Sequence, residues 1–253
     1  MSKLSDRIRK TMRTEAAPIG FRAVRPAKTP QLLTALLFDD ADSVAQAVAA
    51  GAGAVILKDA KLEDVETAVK AADETPLGVW PERIDAADTK ALLAASVDFV
   101  VFEAESTPAT ALLEEKLGYV LALKDGEDDD TYLRVLESVA LDAILLPDWK
   151  GPLTLKKQLE LRRIAALARK PLLLPVELSV ESGDLECLRD AGVSVLLLDG
   201  GDKKTLDGLP ALIKTIEELP GPRRHRETTL EVLLPRAAEM AAEEEGEEEE
   251  EEE

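Results

Sequence analysis

Cysteine, histidine and aromatic residues are scarce in this 253-residue chain, and each scarcity removes a class of chemistry. One cysteine, Cys187, excludes an intrachain disulfide and any cysteine-cluster metal site; its place in LECLRDAG predicts a thiol buried on the apolar side of a helix. One histidine, His225 in the run RRHR, leaves no HxH or HExxH spacing, which argues against zinc and against histidine acid–base catalysis. Any general acid or base is then a carboxylate or a lysine. Aromatics make up 3% of the residues, so the interior has to be filled by Leu, Val, Ile and Ala, and stacking platforms for nucleic-acid bases are lacking. No apolar run reaches the roughly 18 residues of a membrane span, and no signal-peptide pattern opens the chain. From these absences a cytoplasmic protein with no membrane segment is expected.

What is abundant is acid. The formal charge is −20, and half of it lies in Glu243 to Glu253, where ten Glu flank Gly246. Such a run repels itself and buries nothing, so it is expected to be a solvated, disordered tail, with docking to a basic partner as the alternative. The first 30 residues are opposite in sign: Lys3, Arg7, Arg9, Lys10, Arg13, Arg22, Arg25 and Lys28 face only Asp6 and Glu15. Within them Leu4, Ile8 and Met12 recur at helical spacing after Ser2 and Ser5, either of which can cap a short helix. That helix could lie on the N-terminal end of the main body or join two subunits. Pro18, Gly20, Pro26 and Pro30 then mark a connector.

A phrase recurs four times along the middle: a small residue or helix end followed by a short apolar run. It reads GAGAVILK at Gly51, SVDFVVFE at Ser96, ALDAILLP at Ala140 and GVSVLLLD at Gly192, with starts 45, 44 and 52 residues apart. A further apolar run falls within each interval, which makes eight strand–helix units. Strands are expected near Leu32–Phe38, Ala54–Leu57, Leu77–Trp80, Phe99–Phe102, Tyr119–Leu123, Ala143–Leu146, Leu172–Leu174 and Val195–Leu198. A helical segment is expected after each, among them Asp42–Ala50, Leu62–Ala72, Thr131–Val139, Leu155–Ala168 and Leu206–Leu219. The fold class is therefore α/β, a (β/α)8 TIM barrel, since roughly 250 residues suit one such domain. An open doubly wound sheet is the alternative, but the first strand runs into LLFDDADS with no Gly-rich dinucleotide loop. The organisation expected is residues 1–30 as basic helix and linker, 31–220 as barrel, 221–242 as extension and 243–253 as tail. The extension carries Leu230, Val232, Leu233 and Leu234 beside Arg223, Arg224 and Arg226, a patch that suggests a homodimer.

Barrel enzymes place their chemistry at the C-terminal strand ends. Here those ends are acidic: ALLFDD, LGVWPE, LALKD and LLPVE each finish in a carboxylate, so Asp40, Glu82, Asp125 and Glu177 are expected to ring one mouth. Taken singly, each reads first as a cap for the helix that follows; taken together they read as a ring. Converging carboxylates raise one another's pKa or require a cation, which makes Mg2+ the natural companion, with Asp40, Glu103 and Asp199 as candidate ligands. Lys58 and Lys124 stand at strand ends, where a lysine neutralises the surrounding acids by salt bridge or, if desolvated, forms a Schiff base with a carbonyl substrate. Lys124 is preferred because LALKDG continues a strand, whereas Lys58 opens KDAKLED, a solvated helix entry. Glu177 and Glu82 are the carboxylates proposed for acid–base work.

After the eighth strand, DGGDKK places Gly200, Gly201 and Lys203 before a helix, where backbone N–H groups could receive a phosphate. With LRDAGVSVLLLDGG at Leu188 to Gly201, the rhythm of residues 31–219 resembles the phosphate-binding barrel superfamily that includes thiamin phosphate synthase and the ribulose-phosphate-binding enzymes. That resemblance implies a phosphate site near these glycines. The chain departs from it after the seventh strand, where PVELSVESGD offers Gly183 among Glu177, Glu181 and Asp184 instead of a second Gly-rich turn. Three functions stay open: a lyase or aldolase acting on a small metabolite, phosphorylated or not; a non-catalytic scaffold acting through its basic helix and acidic tail; and a binding protein for a cationic ligand.

Overall fold

The computed structural model describes residues 2–12 and 30–221. Two compact units are distinguished, Met1–Gly221 and Pro222–Glu253; the second, with the apolar patch, its proposed dimer contact and the acidic tail, lies outside the described residues, as do Met1 and 13–29 of the first. The strands are β1 (Leu33–Phe38), β2 (Ala54–Lys58), β3 (Leu77–Trp80), β4 (Phe99–Glu103), β5 (Gly118–Ala122), β6 (Ala143–Leu145), β7 (Leu172–Pro175) and β8 (Val193–Asp199). All pair in parallel and in chain order, and β8 pairs back onto β1 from Leu33↔Val195 to Leu37↔Asp199, closing the barrel. The open-sheet alternative is thereby excluded. Parallel strands this short are apolar on both faces because both are covered. Residues such as Ala54, Ile56, Phe99 and Val101 point inward, and alternate residues such as Val55, Leu57, Val100 and Phe102 pack beneath the helices.

The recurring phrase has a physical meaning. Gly51, Ser96 and Gly192 follow helices and carry φ of +91°, +66° and +99°, the left-handed turn that ends a helix and lets the next strand begin. At the first two, the N–H groups of Ala52 and Val97 reach back 3.0 Å to Ala47 and Leu92 carbonyls, closing the helix end. Helix α1 is Lys3–Met12; around the barrel run α2 (Val44–Ala49), α3 (Leu62–Ala72), α4 (Ala86–Ala94), α5 (Asp130–Leu136), α6 (Leu155–Ala168), α7 (Ser182–Asp190) and α8 (Lys203–Glu218). The fourth unit departs from the expected α-helix: after β4 stands only a 3-10 turn at Ala109–Leu112. Tyr119 explains it, because its hydroxyl donates to the Ala111 carbonyl at 3.0 Å and accepts from the Glu114 N–H at 3.3 Å, taking groups a continuing helix would pair internally. Cys187 is half-buried on α7, less enclosed than expected, and is a free thiol. Among the described residues no helix is long and apolar enough to cross a membrane.

Helix α1 closes the N-terminal end of the barrel. Leu4 and Ile8 are essentially fully buried and belong to the same cluster as the inward side chains of the strands, whereas Met12, the third of the apolar series, is 60% exposed. The helix start is held by carboxylates standing just before two strands. Asp98 accepts the Lys3 and Leu4 N–H groups at 2.6 and 2.8 Å, Asp142 accepts the Ser2 hydroxyl, and Ser2 Oγ accepts the Ser5 N–H at 3.1 Å. Gly118 makes room: a Cβ there would meet Asp142 Oδ2 at 2.5 Å and Ser2 Cβ at 2.7 Å. Arg7 ties the next turn to the Gly53 and Glu74 carbonyls at 2.7 and 3.0 Å.

Two expectations follow from this plug. Leu4→Ala or Ile8→Ala should each lower unfolding free energy by about 2–5 kcal/mol in urea denaturation, as for core truncations; a loss within about 0.5 kcal/mol would mean an exposed helix. Burial pushes the Asp98 carboxyl above its ordinary 3.8, against the opposing pull of the Lys3 and Leu4 N–H groups. A carboxyl whose folded pKa is raised holds its proton longer in the fold than in the unfolded chain, so stability falls as pH rises from the ordinary range through the raised one. Asp98→Asn does not titrate, so its stability relative to the parent should improve between pH 3 and pH 7; a difference that stays flat over that range would contradict the burial.

Candidate functional site

Strand direction sends every β C-terminus to one mouth, and there the structure opens a cleft of about 1120 Å3, large enough for a small metabolite. Its walls come from most of the circuit: Asp39 beyond β1, Lys58 on β2, Trp80 on β3, Trp149 and Lys150 after β6, Glu177 and Ser179 after β7, and Asp199 on β8. The chain has two tryptophans, and both are here. Each lies under an ammonium: Lys58 Nζ is 5.9 Å from the Trp80 ring centre, and Lys157 Nζ is 5.1 Å from that of Trp149 while also donating to the Lys150 carbonyl. A smaller recess of about 400 Å3 adjoins it, lined by Lys124, Asp125, Asp128, Asp148 and Trp149.

The two strand-end lysines stand in different surroundings. Lys124 lines the side recess and forms an ion pair with Glu103, Nζ to Oε2 2.6 Å, on the neighbouring strand. Its hydrogen bond to Glu103 holds the ammonium above the usual lysine range, the opposite of what a Schiff-base nucleophile requires. Lys58, taken from the sequence as a solvated helix entry, lines the main cleft.

The expected carboxylate ring divides in the same way. Asp40, Glu82, Asp125 and Glu177 follow β1, β3, β5 and β7 and all are exposed at the mouth. Glu177 lines the main cleft and accepts the Ser179 hydroxyl at 3.2 Å, and Asp125 lines the recess. Asp40 accepts the Ser43 N–H at 3.2 Å in the turn before α2, a local turn role. The Mg2+ ligand set Asp40, Glu103 and Asp199 is not drawn together. β4 stands four strands round from β8, Glu103 is engaged by Lys124, and Asp199 Oδ1 accepts the Gly201 N–H at 2.9 Å. Among the described residues no three His, Cys, Asp or Glu side chains are grouped to hold one metal ion.

The phosphate cradle expected at Gly200, Gly201 and Lys203 is likewise committed internally. Gly200 donates its N–H to the Leu37 carbonyl at 2.7 Å, Gly201 gives its own to Asp199, and Asp202 caps α8 by accepting from Lys204 at 3.0 Å. Lys203 is exposed at the first position of α8. A carboxylate therefore already sits on the N–H that an incoming phosphate would need. The sequence reading overlooked the tryptophans, although VWPE and LPDWK place each at or just past a strand end, which is the signal that could have found them.

Glu103→Gln should bring the Lys124 pKa down toward its ordinary 10.5, read from the lysine ε-CH2 signals in an NMR titration. An unchanged titration would mean that the pair is not formed.

No protein-family description matches this chain, and no curated protein matches it in sequence. Solved structures of similar fold exist. KGPDC from Streptococcus mutans shares 11% identity over 75% of this chain and 99% of its own, with a TM-score of 0.61. Tryptophan synthase subunit alpha from Legionella pneumophila str. Paris shares 11% over 87% of this chain and 98% of its own, with a TM-score of 0.59. An HpcH/HpaI aldolase from Desulfitobacterium hafniense DCB-2 shares 15% over 76% of this chain and 95% of its own, with a TM-score of 0.55. At these identities the likeness is one of fold, and the chain is an eight-fold α/β barrel of the TIM type, as its strand rhythm implied.

Proposed function

We propose that this barrel is a lyase-type enzyme acting on a small carbonyl metabolite in the mouth cleft. The observation that carries the reading is the cleft itself: it gathers Lys58, Glu177 and both tryptophans at the strand ends where barrel enzymes work. Glu177 is the proton carrier and Lys58 the electrophile. In that role the Glu177 carboxylate takes a proton from the carbon beside the carbonyl, and the electron pair moves to the carbonyl oxygen, where the Lys58 ammonium stabilises the charge. The enolate then re-forms the carbonyl by expelling a substituent from the next carbon, which leaves with the proton Glu177 returns. Neighbours of similar fold named as an aldolase and as 3-hexulose-6-phosphate synthase support lyase-type chemistry by analogy. Glu82, exposed just beyond β3, does not line the cleft, and Lys124, paired with Glu103, lines the side recess, so neither is given a step in this scheme.

The alternative, a scaffold acting through the basic helix and acidic tail, keeps the exposed Lys3, Arg9 and Lys10 of α1 but not Leu4 and Ile8, which are buried.

A thermal-melt screen of the purified chain against keto acids, sugars, sugar phosphates and amino ketones tests the proposal. At least one carbonyl compound should raise the melting temperature by mass action. Lys58→Met and Glu177→Gln should keep the fold by circular dichroism yet lose that shift or the turnover of the compound. A screen in which no compound stabilises the parent chain contradicts the proposal.

A further inference from the structure

We infer that the ligand of the mouth cleft carries an organic ammonium group and no phosphate. The inference rests on the cleft being the ligand site and narrows what that site accepts. Among the ionisable residues lining it, Asp39, Glu177, Asp184 and Asp199 outnumber Lys58 and Lys150. A concave wall with an excess of one charge concentrates the opposite ion, here a cation. Prolines and aliphatic side chains make up most of the remaining wall, which suits an ion with an apolar body better than a bare metal.

The indoles supply the second, independent observation. Trp80 already receives an ammonium on its face from Lys58, a side chain exposed to water and free to swing away. A ligand ammonium can take that place, held by the ring and by the carboxylates, and the displaced Lys58 is then available to the ligand's carbonyl oxygen. The third observation concerns what is shut out. The Gly201 N–H at the entrance to α8 is occupied by the Asp199 carboxylate at 2.9 Å, and the Gly200 N–H is spent on Leu37, so a phosphate arriving there would lose its donors and meet a like charge. Asp199 is thus the residue that sets specificity against anions.

Because the two tryptophans line the cleft, intrinsic fluorescence reports binding without a label. The chain is titrated with tetramethylammonium, 1,4-diaminobutane and inorganic phosphate, each against sodium chloride at equal ionic strength. The ammonium compounds should change the emission saturably at concentrations about ten-fold below any effect of phosphate. Trp80→Phe should weaken them about five-fold, since a phenyl ring is the poorer cation acceptor. Asp199→Asn and Glu177→Gln, each checked for fold by circular dichroism, should weaken them as well, and Asp199→Asn should strengthen the phosphate response. Phosphate acting at lower concentration than the ammonium compounds overturns this inference while leaving the cleft as a ligand site. An ammonium response unchanged in both carboxylate variants also overturns it. Emission indifferent to all three compounds overturns the inference and leaves the proposed function to the carbonyl screen.

Discussion

Closure of β8 onto β1 is the constraint from which the rest of this structure follows. Once the eight strands are joined in a ring, every strand is covered on both faces, so the sequence shows apolar runs where an exposed sheet would show alternation. The ring also encloses a narrow interior. Ala35, Ala54, Ala122 and Ala143 keep it from overfilling, and Phe99, Ile56 and Leu145 fill what remains. Parallel closure finally aligns all strand C-termini at one end, which turns scattered sequence positions such as Lys58, Trp80, Trp149, Glu177 and Asp199 into the walls of a single cleft.

The two ends of the barrel solve opposite problems. At the N-terminal end, the opening is stoppered by Leu4 and Ile8, and the orphan N–H groups of that short helix are met by Asp98, which the fold holds partly desolvated, and by Ser2 Oγ, whose hydroxyl Asp142 accepts. Charge there is structural and paired. At the C-terminal end most charges are exposed, several serve turns or caps, and the remainder faces an open volume. A basic residue and an acidic one thus have different meanings at the two ends: Arg7 grips backbone carbonyls below, while Lys58 above sits over an indole with water around it.

Legibility from the sequence tracked how local the cause was. The strand rhythm could be read because each unit is dictated by its own apolar run and by the small residue that turns the preceding helix into the strand, as at Gly51 and Gly192. The missing fourth helix could not, because Tyr119, on the following strand, reaches back to hold Ala111 and Glu114 in a tighter turn. The carboxylates at the mouth were legible as strand ends. Which of them meet was not, since Glu103 pairs with Lys124 across adjacent strands and Asp199 folds back onto its own glycine loop. Local context marked both Lys58 and Lys124 as strand-end lysines, but which acid each would meet depended on the neighbouring strand, as the Lys124–Glu103 pair shows.

The central claim is that ligand binding belongs to the mouth and that the opposite end is structural. Incorporating 5-fluorotryptophan gives one fluorine signal from Trp80 and one from Trp149, and selective methyl labelling of Leu and Ile reports on Leu4 and Ile8 in the same sample. On adding a compound that stabilises the chain, both fluorine signals should move while the methyl signals of Leu4 and Ile8 stay in place. Fluorine signals that stay fixed while the Leu4 and Ile8 methyls shift would put the ligand at the wrong end of the barrel and contradict the account.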